Sequence, residues 1–350
     1  WKDVDLYVGG SEHATGHLLY SRFWQKFLFD LGLVPVEEYA KKLINQGMIL
    51  GNSAYIYRKV GENVFVSKKL IKDLNNYDPI RIDVKYLINE DELDIKNLKG
   101  SSSDFSNSKF IYSNGKFFVK REIEKMSKSK YNVVNPDEIC DKYGADTLRM
   151  YEMFLGPIEQ AKPWNTAGIS GVHSFLKKLW RLFYDDQTWI VDDSYPSKEM
   201  LKTIHSTIKK VTHDIESFSF NTCISSLMIC VNELQILKCR SREILEKLVI
   251  LLSPFAPHIS EEIWQRLGNM NSISEVNYPL FDNKYIIENE KNYPISFNGK
   301  FKFNINLSLD LSNKEIEKIV LSDLKTIKYL KSKKAKKVII VPNKIINIVF

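Results

Sequence analysis

The stretch Val4-Asp5-Leu6-Tyr7-Val8-Gly9-Gly10-Ser11 decides the reading of the first fifty residues. Val4 to Val8 has the composition of a short strand, and the two glycines are expected to break it. Ser11 can cap a helix that follows. Residues 14–31 carry Leu18, Phe23, Phe27 and Leu31 near one helical face, and Gly32 is placed to end that helix. A strand, a double glycine and a helix N-terminus make a turn where backbone can approach an anion or a nucleotide. No GxGxxG is present, so a plain tight turn is the alternative reading.

Outward from there the character changes. Tyr55, Tyr57, Val64, Val66, Ile80, Ile82, Val84 and Tyr86 alternate with polar residues as half-buried strands do. Gly61-Glu62-Asn63 and Asn114-Gly115 are hairpin signals. This predicts a β-rich insertion over 53–122. Residues 123–165 read as a loop and short helices, with Asn135-Pro136-Asp137-Glu138 opening one helix and Gly144 ending it. Apolar residues spaced three and four apart, such as Ile169, Val172, Leu176 and Leu179, predict a helical bundle over 166–282. The remaining 283–350 alternates at Phe301, Phe303, Ile305 and Leu307. It then shows a capping box at Ser312-Asn313-Lys314-Glu315 and two strands around Pro342-Asn343, a small α+β domain.

Composition bounds the function. The chain has 350 residues, two or three domains at roughly 100–200 residues each. Its 50 basic and 43 acidic residues leave a net charge of +7, and 44% of residues are hydrophobic, as in folded protein. No run approaches the ~18 apolar residues of a membrane helix, so an integral helical membrane protein is excluded. Four cysteines without a CxxC pair exclude a disulfide scaffold and a cysteine-rich zinc module, and fit a reducing compartment. The chain starts at Trp1 with no initiator Met or leader, which reads as a fragment, a processed chain or a split subunit.

Three motifs carry chemistry. Lys125-Met126-Ser127-Lys128-Ser129, with Lys130 after it, places two lysines three apart on a serine-containing loop after an expected strand at Phe117 to Val119. Ammonium groups on flexible stems can follow moving phosphate oxygens, and the serines add donors without bulk. A solvated basic loop is the plainer alternative. His13-Ala14-Thr15-Gly16-His17 sets two imidazoles one helical turn apart. A zinc hydrolase needs Glu directly after the first His, where Ala14 stands, and a third ligand is missing, so no metal is assigned. Lys325, Lys328, Lys331, Lys333, Lys334, Lys336 and Lys337 fall within thirteen residues without one acid, a candidate phosphate-backbone contact or a solvated face.

Together these segments closely resemble the C-terminal portion of a bacterial-type leucyl-tRNA synthetase, a class I aminoacyl-tRNA synthetase. Residues 125–129 match its KMSKS signature. Residues 7–24, from Tyr7-Val8-Gly9-Gly10-Ser11-Glu12-His13 to Phe23-Trp24, resemble its second active-site block. Pro254-Phe255-Ala256-Pro257-His258 and the residues to Trp264 resemble the bundle signature of its subgroup, and 338–349 resembles its C-terminal domain.

The resemblance implies the second half of a Rossmann-like catalytic domain over 1–52, a leucyl-type insertion, an anticodon-binding-type bundle and a tRNA-binding C-terminal domain. It implies activation of leucine with ATP and Mg2+, then transfer to tRNA(Leu), in the cytoplasm and away from membranes. Lys125 and Lys128 would be catalytic. They would bind ATP with Met126, Ser127, Ser129, Gly10 and Glu12, while Tyr7, His13 and His17 would wall the leucine pocket. The seven tail lysines would meet tRNA. The family's HIGH signature and threonine-rich editing module have no counterpart in this sequence, so a missing N-terminal half is an expected partner. A non-enzymatic RNA-binding module derived from a synthetase is the alternative, and it need not have kept the KMSKS residues.

Overall fold

The computed structural model describes residues 2–286, 290–309, 311–331, 333–342 and 344–350. Two compact units emerge, one of Trp1–Pro196 with Thr207–Pro279 and one of Ser197–Ser206 with Leu280–Phe350.

In the first unit, strand β1 (Tyr7–Gly10) passes through a 3-10 turn (Ser11–His13) and a π turn (Ala14–Leu18) into helix α1 (Leu19–Asp30). The double glycine does not break the strand. Gly9 and Gly10 pair with Asn45 and Gln46 of the parallel strand β2 (Leu43–Gln46). A glycine lacks a side chain to pack but keeps both backbone groups for the ladder. Ser11 is not the cap either, since Gly10 occupies that position without a side-chain bond. Gly32 ends α1 at φ 69°. Phe23, Trp24, Phe27 and Leu31 are exposed, and no residue of α1 is buried.

The next strands form a six-stranded sheet whose spine is β3 (Ile49–Lys59). The others are β4 (Val64–Val66) and β5 (Tyr77–Ile82) and then, beyond short helices α2 (Ile95–Lys99) and α3 (Ser103–Ser106), β6 (Lys109–Ile111), β7 (Lys120–Lys125) and β8 (Lys162–Pro163). The length of β3 lets it serve four partners: β5 over 54–59, β7 over 50–55, β4 at 57–58 and β8 at 49–50. It therefore runs straight across the 52/53 boundary expected between the first domain and the insertion. Ala54, Ile56, Phe65, Leu98, Phe110 and Phe117 pack the core under this sheet.

Two strand expectations fail. Val84 and Tyr86 lie in a 3-10 turn, because the Asp83 carboxylate accepts from Lys85 N at 3.0 Å and ends the strand. Phe117 and Val119 are buried in the core, and the regular strand starts only at Lys120.

Helices follow: α4 (Pro136–Tyr143), α5 (Ala145–Phe154) and α6 (Thr166–Trp180), a short ribbon of β9 (Tyr184–Asp185) and β10 (Thr188–Trp189), then α7 (Lys198–Glu216), α8 (Phe220–Ile236), α9 (Arg242–Leu252) and α10 (Pro257–Arg266). Asn135 caps α4 by accepting from Asp137 N at 3.0 Å, and Gly144 ends it at φ 88°. The apolar stripes face inward, with Ile169, Val172, Ile224, Leu227 and Leu248 all buried. Asp146 of α5 joins this group to α10. Its Oδ1 accepts from His258 Nδ1 at 2.8 Å and His258 N at 3.2 Å, and its Oδ2 from Ile259 N at 2.7 Å. A buried carboxylate thus satisfies two free amides at a helix start, where the dipole favours it.

Besides residues 198–206 of α7, the second unit holds α11 (Asn283–Ile286), β11 (Glu290–Phe297), β12 (Lys300–Ser308), α12 (Asn313–Ser322), α13 (Leu324–Leu330), β13 (Lys337–Val341) and β14 (Ile345–Val349). Strand order is β12-β11-β14-β13, with β11 and β14 parallel. Asn298 and Gly299 turn the β11–β12 hairpin at φ 47° and 82°. Both halves of the Ser312/Glu315 capping box form. Asn343, expected in the last turn, lies outside the described residues.

Replacing Asp146 with Ala should cost about 2 kcal/mol, because it strands the buried amides of His258 and Ile259. A urea titration should show it, whereas Asp185→Ala, at an exposed position, should change stability by under about 0.5 kcal/mol.

Candidate active site

The lysine loop begins where β7 ends. Lys125 is the last residue of β7 and pairs with Leu50 of β3. Met126 and Ser127 are half-buried, a 3-10 turn covers Lys128–Lys130, and Tyr131 reverses the chain at φ 52°. Lys125, Lys128 and Ser129 are exposed, and neither lysine makes an ion pair among the described residues. The Ser127 and Ser129 hydroxyls lie 2.9 Å apart.

Asn132 holds this loop, and sequence reasoning missed it. It is 1% exposed. Its Oδ1 accepts from Ser127 N at 2.9 Å, and its Nδ2 donates to Lys125 O at 3.3 Å. One amide therefore ties both sides of the loop. It fits only because residue 51 is Gly, where a Cβ would stand 2.6 Å from Asn132 O. Gly47 has the same role against the 158–161 loop, since its Cβ would meet Gln160 backbone at 2.1 Å. Asn132 within the run Lys130-Tyr131-Asn132 and the two glycines flanking Leu50 were the available signals.

A second missed group is Glu124. Its carboxylate accepts from Lys130 Nζ and from Ser53 Oγ at 2.5 Å, and lies 3.1 Å from Arg81. The Lys130 ammonium, then Ser53, hold the Glu124 carboxyl down at about 2. A value below the ordinary one, 4.5, means that the network stabilises the folded chain above that pH. The contribution is lost as pH falls from there toward 2.

The glycine turn lies close by along the chain. Gly10 pairs with Gln46, and Leu50, four residues on, pairs with Lys125. Four residues span at most about 14 Å and paired strands lie about 5 Å apart, so Gly10 and Lys125 are within about 24 Å. Glu12 folds back over Gly10, where a Cβ would stand 2.1 Å from its carboxylate. Tyr7 and His17 share a hydrogen bond, and Tyr7 meets Tyr39 edge-on at 5.4 Å. His13 does not join them and is exposed. The π turn replaces the α spacing on which a shared face for His13 and His17 depends. Among the described residues no group of three or more His, Cys, Asp or Glu could hold a metal, and no helix is long and apolar enough to cross a membrane.

The seven tail lysines are all exposed: Lys325 and Lys328 on α13, Lys331 just after it, Lys333, Lys334 and Lys336 in the connection, and Lys337 opening β13. A cleft of about 900 Å3 opens between α5, α6, β9 and α10, lined by Asp146, His173, Lys177, Trp180 and His258. It contains no residue of the lysine loop or the glycine turn.

Asn132→Ala should release Ser127 N and leave Lys125 O unpaired. Amide hydrogen exchange at Ser127 should rise at least about tenfold, one lost hydrogen bond, while amides of β3 residues 54–58 stay protected.

Two family profiles match. Residues 102–164 match one described as tRNA synthetases class I (I, L, M and V), and 197–320 match the anticodon-binding domain of tRNA ligase. A leucine–tRNA ligase of Christiangramia forsetii is 63% identical over the whole chain, which covers 36% of that protein. One of Flavobacterium johnsoniae is 62% identical, with 37% covered. A solved LeuRS of Agrobacterium radiobacter K84, in a ternary complex with tRNA and LeuAMS, is 27% identical with a TM-score of 0.59 over 99% of this chain and 38% of its own. The chain thus spans a little over a third of the length of the relatives it matches. Over its whole length, this chain is similar to a C-terminal portion of the leucine–tRNA ligases.

Proposed function

We propose that this chain supplies the phosphate side of a leucyl-adenylate site, together with the tRNA-binding part of a leucine–tRNA ligase. The observation that carries this is the lysine loop: Lys125 and Lys128 are exposed, without acidic partners among the described residues, on a loop pinned by Asn132. Pinning matters because a positioned charge stabilises a transition state without reorganising. In the reaction, a leucine carboxylate oxygen attacks the α-phosphorus of ATP, the bond to pyrophosphate breaks, and pyrophosphate leaves. Lys128, assisted by Lys125, takes the charge that builds on the phosphate oxygens. Met126, Ser127 and Ser129 complete the ATP contact, and ATP arrives with Mg2+, which shares that charge.

Gly10 gives the adenylate close access to backbone, and Glu12 meets the ribose hydroxyls. Tyr7 and His17, already joined by a hydrogen bond, wall the leucine side chain together with His13. A terminal ribose hydroxyl of tRNA(Leu) then attacks the leucyl carbonyl, and AMP leaves. The Agrobacterium relative holding both tRNA and LeuAMS supports this reading. The exposed aromatic face of α1 receives the rest of the catalytic domain, the second half of a Rossmann-like fold being residues 1–52. The bundle and the lysine tail contact tRNA, and the work is cytoplasmic.

The test joins this chain to the segment that precedes the matching region in the Christiangramia ligase. There Lys128→Ala should slow leucine-dependent pyrophosphate exchange by ~10²–10³, and an effect below about threefold would contradict the assignment. In the same protein, charge reversal at Lys333, Lys334 and Lys336 should weaken tRNA(Leu) binding. The log–log salt slope should flatten by roughly 0.7–0.9 per lost phosphate contact, with leucyl-adenylate formation unchanged. Unchanged binding would return those lysines to a solvated face.

A further inference from the structure

The loop carries three lysines in six residues, yet the structure treats them differently. Lys125 and Lys128 are exposed without an ion pair among the described residues, while Lys130 is held by Glu124. Glu124 stands one residue before the loop and Lys130 one residue after its KMSKS segment.

The receiving carboxylate is built by the sheet, not by the loop. Gly51 of β3 stands opposite Glu124, and Ser53 is its diagonal neighbour on the same strand pair. Ser53, fully buried, donates to Glu124 at 2.5 Å. Arg81 of β5 donates to Tyr55 at 2.8 Å and reaches Glu124 at 3.1 Å. Three strands thus fix one carboxylate, whose side chain is 16% exposed, and the loop delivers only Lys130 to it. The sheet gives this carboxylate donors of its own, Ser53 and Arg81, and its bond to Lys130 takes that ammonium out of the set free to meet a ligand.

We propose that Glu124 is a positioning residue that withholds Lys130 from the polyphosphate, so that Lys125 and Lys128 alone meet it. This rests on the function proposed above, with the lysine loop as its phosphate site. The chemical reason is register. A third ammonium two residues from Lys128 would bind ground-state and product phosphates as well as the transition state, which lowers KM without raising kcat and slows pyrophosphate release.

The sign of the effect separates this role from a structural one. A Glu124 that merely kept the loop folded would, when removed, weaken phosphate binding. A Glu124 that masks Lys130 would, when neutralised, strengthen it. The first measurement uses the 350-residue chain and inorganic tripolyphosphate in calorimetry at fixed low salt. Glu124→Gln, which keeps the shape and the Ser53 contact, should tighten binding about threefold to tenfold, one added phosphate contact. Adding Lys130→Met to E124Q should abolish that gain.

The second measurement uses the joined protein described above. E124Q should lower kcat of leucine-dependent exchange several-fold together with the KM for ATP, leave the KM for leucine unchanged, and recover kcat when Lys130→Met is added. Weaker or unchanged tripolyphosphate binding by E124Q, no measurable binding by either protein, or a double variant that behaves as E124Q does, overturns the proposal. Exchange absent from the wild-type joined protein would contradict the ligase reading, while the tripolyphosphate result would still decide whether Glu124 masks Lys130.

Discussion

The side-chain amide of Asn132 is the group on which the lysine loop depends. It accepts from Ser127 N and donates to Lys125 O, so it spans the loop at its narrowest point. It is buried, and a buried amide left without partners is costly, which makes the arrangement close to all-or-none. Gly51 leaves the room it needs, and Gly47 lets the 158–161 loop press against the start of β3. Leu50 lies between these glycines, paired with Lys125 on one side and Pro163 on the other. Three chain segments distant in sequence thus meet at one residue pair, and the loop's lysines are displayed from that junction.

The same junction couples the loop to the glycine turn. Only Gly47 and Met48 separate the end of β2 from the start of β3, so β1, β2, β3 and β7 form a short covalent and hydrogen-bonded path. In the proposed reading this path holds the adenylate side, at Gly10 and Glu12, at a fixed reach from the phosphate side. The bundle adds its own anchor through Asp146, which ties α5 to the first turn of α10.

What the sequence disclosed was local chemistry. The Asn135 cap, the Ser312 capping box and the bundle stripes follow from neighbours within a few residues, and each is where such rules put it. The failures came partly from outside the local sequence. Gly9 and Gly10 stay in a strand because β2 supplies the ladder partners, which local propensity does not register. Val84 and Tyr86 alternate like strand residues, but the Asp83 carboxylate captures a backbone amide and ends the strand. The π turn that parts His13 from His17 has no composition signature. Within the candidate site the lysines were legible as a motif, whereas Glu124 and Arg81 matter through contacts between strands up to 71 residues apart in sequence, and Asn132 fits only because Gly51 of β3 leaves it room.

The chain matches a little over a third of its relatives' length, and the aromatic face of α1 is bare in this structure. Those two facts frame the central claim, that this chain carries the phosphate side of a site completed by another segment. The most direct test compares leucine-dependent ATP–pyrophosphate exchange by the purified 350-residue chain and by the chain joined to the preceding Christiangramia segment, both free of host synthetase. The account predicts no measurable exchange by the chain alone and clear exchange by the joined protein. Robust exchange by the chain alone, or none by a folded joined protein, would contradict it.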